Sequence, residues 1–407
     1  MAADYTAYAT VLKEVWTSDR LEKQFYCENP FLDDIEKSAP AYSIGDKAIV
    51  PVHTGRSGGY SVVPRTGSSA LNAADEQQVT EATFNWTHHW FQIKLESTAI
   101  DETKGKANAV AQVVDTEVNG ALSDMRNQIT RQMLGGNGDA LIAQCTTGGA
   151  ATEVELLSTG AGYDAIVRGW LYPGLTVDIG TTTDEDVIAG DAVISAIEEV
   201  AATPSITIDS SVTTSSSHYV SIANARSGAT SYESNGLLNI VGTGNLGGIT
   251  VSATPSWQAA AVDTAAQDLT LPLLYAKQRQ VAQKTGKTAN WSITSLDQQE
   301  NLYKLLQVQA RFDGDRNLGA GNVGGVSFAG TKVDAQPNVR KGHWFFLTKE
   351  DLFLLRDSGP KWAPQEYGNK GILDWVQGTT YLASALKWRV QLAPKRRNSH
   401  AALTALN

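Results

Sequence analysis

The chain reads as an α+β protein carrying an inserted β-rich, barrel-like module, and three stretches of sequence carry that reading. The first is a pair of strand-like runs around a Gly- and Ser-rich tip between residues 45 and 95. The second is one long amphipathic helix that ends at Gly135 and Gly136. The third is a succession of short β-rich runs from Gly160 to Gly244. Periodicity separates the three: two residues in the first, three to four in the second, broken alternation in the third.

Near the N-terminus Tyr8, Val11, Leu12, Val15 and Trp16 fall at helical spacing, which breaks up around Asn29, Pro30 and Phe31. A short helix on an extended arm, residues 1–44, is expected. From Gly45 the period changes. Ala48, Val50 and Val52 alternate with other residues, and Phe84, Trp86, Trp90 and Gln92 belong to a second run ending near Leu95. Between them Gly55, Gly58, Gly59, Gly67, Ser68 and Ser69 leave little to build a core. Residues 45–95 are therefore expected to form a projecting hairpin with a mobile tip.

The clearest helix carries Val110, Val113, Val114, Val118, Leu122, Met125, Ile129 and Met133. It would run ~40 Å and lie across a sheet as the spine of a lobe spanning residues 96–159. Leu175–Ile179, Val193–Val200, Ile206–Ile208, Tyr219–Ile222 and Leu237–Val241 then read as strands of a small barrel within an insertion at 160–250. In a further lobe, 251–355, helices at Leu269–Lys284 and Ser295–Gln309 flank a strand at Trp291–Thr294. The final segment, 356–407, contains a long strand over Tyr381–Leu392.

At 407 residues, 42% hydrophobic and 19% charged, the chain can bury a sizeable core divided among more than one lobe. No apolar stretch approaches the roughly 20 residues of a membrane-spanning helix, so no membrane partner is expected. Met1–Trp16 lacks the basic start and apolar run of a secretory signal, which implies cytosolic synthesis. Cys27 and Cys145 cannot build a disulfide framework or a metal-ligand cluster. A formal charge of −10 opposes tight gripping of phosphate backbones, though it permits an enclosure through which DNA slides.

Signals that look chemical are weak. Gly319, Gly321 and Gly324 match GxGxxG, but the adjoining GVSFAG reads as a strand and not as a phosphate-capping helix. His88 and His89 are adjacent on a strand, so their side chains point to opposite faces. Asp313 and Asp315, beside Arg311 and Arg316, lack the remaining ligands of a calcium loop. No catalytic, cofactor-binding or metal site is expected.

The order of these elements resembles the major capsid proteins of tailed bacteriophages, the Hong Kong 97-type fold of arm, extended hairpin, spine helix and axial lobe. The more specific resemblance lies in VSFAGTKVDAQPNVRKGHWFFLTKEDLFLL, Val326–Leu355, and in YLASALKWRVQLAPKRRNSHAAL, Tyr381–Leu403. Two departures stand out: the insertion is larger than the minimal fold provides, and the chain starts almost directly at the arm. The second implies that any scaffolding domain is a separate protein or was removed.

The resemblance implies a non-enzymatic subunit that self-assembles into hexamers and pentamers of an icosahedral shell. The shell would enclose double-stranded DNA without sequence-specific binding. Assembly is expected in the bacterial cytoplasm, with scaffolding and portal proteins and, in some cases, a decoration protein. An encapsulin-like cellular compartment is the alternative.

Residues that reach beyond their own core are the candidate intersubunit contacts. Phe25, Tyr26, Phe31 and Leu32 are expected to dock the arm on a neighbour, and Arg56 and Arg65 stand at the hairpin tip. Phe84, Trp86, Trp90 and Phe91 lie either on the spine helix or on a neighbour, because an isolated hairpin cannot bury them. Lys395, Arg396 and Arg397 are read as intersubunit or solvated in preference to DNA-contacting. Some members of the family weld subunits through a hairpin lysine and a neighbour's asparagine. Here no lysine occurs between Lys47 and Lys94, and a guanidinium stays protonated, so a noncovalent shell is expected.

Overall fold

The computed structural model describes residues 29–38, 47–64, 70–73, 75–103, 113–158, 161–200, 202–309, 327–356, 359–366 and 371–407. The expected helix at Tyr8–Trp16 lies outside them, as do Cys27, the glycines at 319, 321 and 324, and Asp313 and Asp315.

Helix α1, Pro30–Ser38, begins with a proline whose fixed φ suits the first helical turn. Its Phe31, Leu32 and Ile35 share one face and are fully buried. Strands β1, Lys47–Gly55, and β2, Gln78–Asn85, pair antiparallel as a hairpin, with Ala48 opposite Phe84 and Val50 opposite Ala82. β3, Thr87–Glu96, comes after one residue but belongs to another sheet. The expected second hairpin run, Phe84–Leu95, is thus two strands with different partners. Helix α2, Ser97–Thr103, leads to the spine α3, Val113–Gly135. Ala121, Met125, Ile129 and Met133 recur every four residues on its buried side. The helix stops where sequence predicts, at Gly135; a Cβ there would come within 2.7 Å of the Trp170 ring.

A closed barrel comes next. Its strands are β4 Ala143–Gln144, β5 Ala151–Glu155, β6 Thr176–Gly180, β7 Ala189–Glu198, β8 Ser205–Val212 and β9 Tyr219–Ile222, in the order β4-β9-β6-β7-β8-β5. A bridge between Cys145 and Leu156 joins β4 back to β5 and closes the ring. Irregular register in three of its strand pairs lets so small a sheet curl. Helix α4, Ala161–Val167, adds Ala165 and Ile166 to a core separate from the rest of the molecule. Two of the strands precede Gly160, where the β-rich module was expected to begin; they are short and poor in apolar residues.

After a small hairpin, β10 Arg226–Ser227 and β11 Thr230–Ser231, the run Leu237–Val241 was expected as a strand but forms helix α5, Leu237–Ile240. So brief an apolar run has no decisive period, and here Leu237 and Ile240, one turn apart, both enter the core. β12 Ala261–Asp263, α6 Leu271–Thr285, β13 Trp291–Thr294 and α7 Leu296–Gln309 build the next layer, with β14 Ser327–Phe328, β15 Thr331–Ala335 and β16 Trp344–Leu347 after them. Beyond these are β17 Leu352–Arg356, β18 Lys361–Trp362, helix α8 Ala363–Glu366, β19 Asp374–Trp375, β20 Tyr381–Pro394 and β21 Ala401–Leu403. One six-stranded sheet runs β12-β21-β16-β13-β15-β14. In another, the 14-residue β20 pairs along one edge with β3 and along the other with β19, β18 and β17. The central core gathers α1, the inner hairpin face, α3, β17 and β20.

Candidate assembly surface

The hairpin has two unlike faces. Ala48, Val50, Val52, Ala82 and Phe84 turn toward the body and pack on its core. Gly247, at φ +65°, accepts the hydrogen bond from Thr83 N at 2.8 Å and leaves no room for a side chain beside Phe84. The other face carries Ile49 and Val79 into solvent, and beyond the strands Tyr60 and Val62 are each 81% exposed and Leu71 72%. The two arms of the tip are tied where Asn72 N donates to Ser61 Oγ at 2.7 Å and Asn72 Nδ2 to Tyr60 O at 2.6 Å.

Several sequence candidates are not surface residues. Phe31 stacks on Trp291 of the same chain at 5.5 Å, and Leu32 is wholly buried, which corrects their assignment to a neighbour. Phe84 is core as well, and Trp86 and Phe91 are half-buried against the same cluster. Trp90 is exposed, but on β3 and not on the hairpin, with Lys387 Nζ 5.4 Å from its ring centroid. Arg56 is exposed, whereas Phe25, Tyr26 and Arg65 lie outside the described residues. His88 is exposed and His89 half-buried beside it, where His89 Nε2 meets Ser234 Oγ at 3.2 Å.

The basic run is split by burial. Arg396 is half exposed and reaches Asp351 only at 3.9 Å. Arg397 is fully buried, which overturns its reading as an intersubunit or solvated charge. Its five N–H groups are all used: Nε donates to Ile240 O, Nη1 to Gly244 O and Trp257 O, and Nη2 to Asn239 O and Gly242 O, at 2.7–3.0 Å. It collects the carbonyls at the end of α5, which an ending helix leaves without partners. Burial lowers its pKa to about 10, still well above neutrality. Nearby His400 is wholly buried and pushed down to about 3 by desolvation, then by Arg397 and Arg396, so it stays neutral. In the barrel, burial raises the Cys145 thiol to about 12, leaving it inert.

Between β1 and the turn after β20 runs a groove formed by two clefts, of about 570 and 390 Å³, that share Pro51, Lys395 and Arg396. Its cationic lining escaped sequence reasoning because residues near 50, 284 and 395 meet only in the fold. A second missed feature was open to simple counting. Residues 143–222 hold eleven carboxylates and one basic residue, Arg168, so this segment alone carries the chain's formal −10. Among the described residues no group of three or more His, Cys, Asp or Glu is placed to hold a metal ion. None of the described helices is long and apolar enough to cross a membrane.

No family model matches the chain, and no curated protein matches it. Solved structures do. The capsid asymmetric unit of cyanophage A-1(L) is similar over 96% of this chain and 96% of that one, with a TM-score of 0.57 at 12% identity. The capsid of a native GTA particle is similar over 99% and 98%, with a TM-score of 0.52 at 8% identity. An encapsulin complex from Synechococcus elongatus reaches a TM-score of 0.47 at 7% identity, over 100% and 96% of the two chains, too slight a likeness to argue from. At such identities the likeness concerns the fold alone: this is an α+β chain with a capsid-protein fold.

Proposed function

We propose that the chain is the major capsid protein of a tailed bacteriophage, a structural subunit that assembles into hexamers and pentamers of a DNA-filled icosahedral shell. Its elements then take the roles of arm, extended hairpin, spine lobe, β insertion, axial lobe and C-terminal return strands of a Hong Kong 97-type subunit. The observation that carries the reading beyond the fold is the hairpin. A two-stranded ribbon presenting Ile49, Tyr60, Val62, Leu71 and Val79 to solvent is poorly suited to a solitary monomer and well suited to contact with further copies. Each subunit would meet several neighbours, so individually weak contacts sum to a stable shell. Scaffolding, portal and decoration proteins are the partners such a shell would use.

Light scattering and electron microscopy of the purified chain test this: rings or closed shells are expected, and a compact monomer at every concentration, salt and pH would sink it. Particles from infected cells should contain DNA; enzyme cargo in its place would favour the encapsulin alternative. Boiled in denaturant and reductant, they should release one band near 43.6 kDa, because the hairpin between Lys47 and Lys94 has no lysine to form a cross-link. A ladder of multimers would refute the noncovalent shell.

A further inference from the structure

We infer that the groove beneath the hairpin is the socket for the acidic β6–β7 loop of a second copy of this chain. The inference rests on the shell reading above and supplies one of its contacts. The groove is cationic along its length, lined by Lys47, Arg56, Lys284, Lys395 and Arg396. No carboxylate stands among its described lining residues. Its floor is apolar, formed by Val50, Trp86, Phe353 and Leu355 in the wider part and by Val52 and Trp257 in the narrower. A concave site with an apolar floor and a cationic rim suits a segment that offers carboxylates beside an aliphatic side chain.

Within this protein the acidic excess resides in the barrel, and the remaining residues sum to zero formal charge. Electrostatic attraction between copies therefore pulls the barrel of one toward a basic surface of the next. The loop between β6 and β7 is the part best formed to enter. Asp184, Asp186 and Val187 are exposed there, Val187 to 52%. The loop begins after Gly180, which pairs with Tyr219 at the start of β9. It is also held in shape. Arg226 Nη1 donates to Thr181 O at 3.1 Å, Arg226 Nη2 donates to Thr182 O, and Gly228 N donates to Glu185 Oε2. A loop already ordered loses less entropy on docking. Socket and loop are different surfaces of one chain, so their contact is head-to-tail, the kind that closes into rings when the rotation between copies closes.

Charge reversal in the full-length chain tests the contact. Lys395→Glu with Arg396→Glu reverses the socket, and Asp184→Lys with Asp186→Lys reverses the loop; thermal unfolding of the unassembled protein checks that each variant folds. Each reversal is expected to slow assembly, followed by light scattering, by roughly tenfold or more, as removal of steering charges does. All four substitutions in one chain should recover most of the rate. The loop variant stands alone as a test should the socket variant misfold, since Asp184 and Asp186 are exposed. Normal assembly of the loop variant would overturn the inference while leaving the shell reading intact. So would a socket defect that the combined variant does not relieve, which would instead point to nucleic acid in the groove. Absence of any assembly by the unaltered chain would overturn both.

Discussion

The barrel and the hairpin are both antiparallel β structures, and they solve the problem of unpaired edges in opposite ways. The barrel closes on itself through Cys145 and Leu156, fills its interior with Val177, Ile179, Ile194, Ile206 and Val220, and leaves no edge open. The hairpin has two strands, one face packed on the body and the other bare. The barrel's stability is therefore complete within one chain, whereas the hairpin's outer face gains a partner only when copies meet. Mutations should separate the two, with losses of folding in the barrel and losses of association in the hairpin.

The largest expected effect is inside the body, where Arg397 holds the turn after β20 to the end of α5. Arg397→Met strips its donors from five carbonyls, of which only Asn239 O and Gly242 O keep another, from Gly242 N and Ala259 N, and a loss on the order of 3–5 kcal/mol in chemical denaturation is expected. A loss under about 1 kcal/mol would mean that water can reach those carbonyls. Next, Ile179→Ala in the fully buried barrel core should cost roughly 2–5 kcal/mol of barrel stability. Labelling of Cys145, resolved from Cys27 by peptide mass spectrometry, reports it: the thiol reacts only when the barrel opens, so this variant should label faster. Unchanged labelling would show that the barrel does not open as a unit.

Some of this contrast was legible in the sequence and some was not, for a physical reason. Alternation at Ala48, Val50 and Val52 and the three- and four-residue recurrence through Leu122, Met125, Ile129 and Met133 are local patterns, and β1 and the spine were read close to their true limits. Four of the five barrel strand readings also held. What failed was non-local. Nothing near Trp86 announces that β3 leaves the hairpin to pair with β20, almost three hundred residues later. Phe31 looked unsupported because its partner, Trp291, is equally remote. Arg397 differs from Arg396 in nothing that neighbours reveal, yet one is core and the other surface. The barrel's charge needed only counting over a window set by the fold.

Acid should distinguish barrel from body. His89 and His400, both outside the barrel, are held near 3 chiefly by desolvation, against 6.5 for an ordinary histidine. The unfolded chain binds more protons than the folded one between those values. The stability these groups lend is thus whole above pH 6.5 and declines as pH falls toward 3, by roughly 1.4 kcal/mol per pH unit for each proton. Between pH 6.5 and 5, before most carboxylates titrate, the body's denaturation midpoint should fall. Neither of these histidines belongs to the barrel, so Cys145 labelling should not accelerate over the same range. Parallel loss of both would show that barrel and body unfold as one.

The smallest effect on folding is expected at the hairpin's outer face, and there the comparison becomes sharpest. Val79 lies on β2 opposite His53, with its side chain 63% exposed, and Tyr60 and Val62 stand beyond the strand ends. None of the three contributes to the central core, so Tyr60→Ser, Val62→Ser and Val79→Ser together should change the unassembled chain's stability by no more than about 0.5 kcal/mol each. Their removal takes away three of the exposed apolar side chains of that surface and leaves Ile49 and Leu71. Assembly should therefore fail, or need much higher protein concentration, while the variant remains as stable as its parent. An Ile179→Ala chain that has folded should show the reverse, assembling normally because the barrel core meets no neighbour. If the triple variant assembles like the parent, the bare face of the hairpin is not a contact, and the copies hold together through the charged surfaces alone.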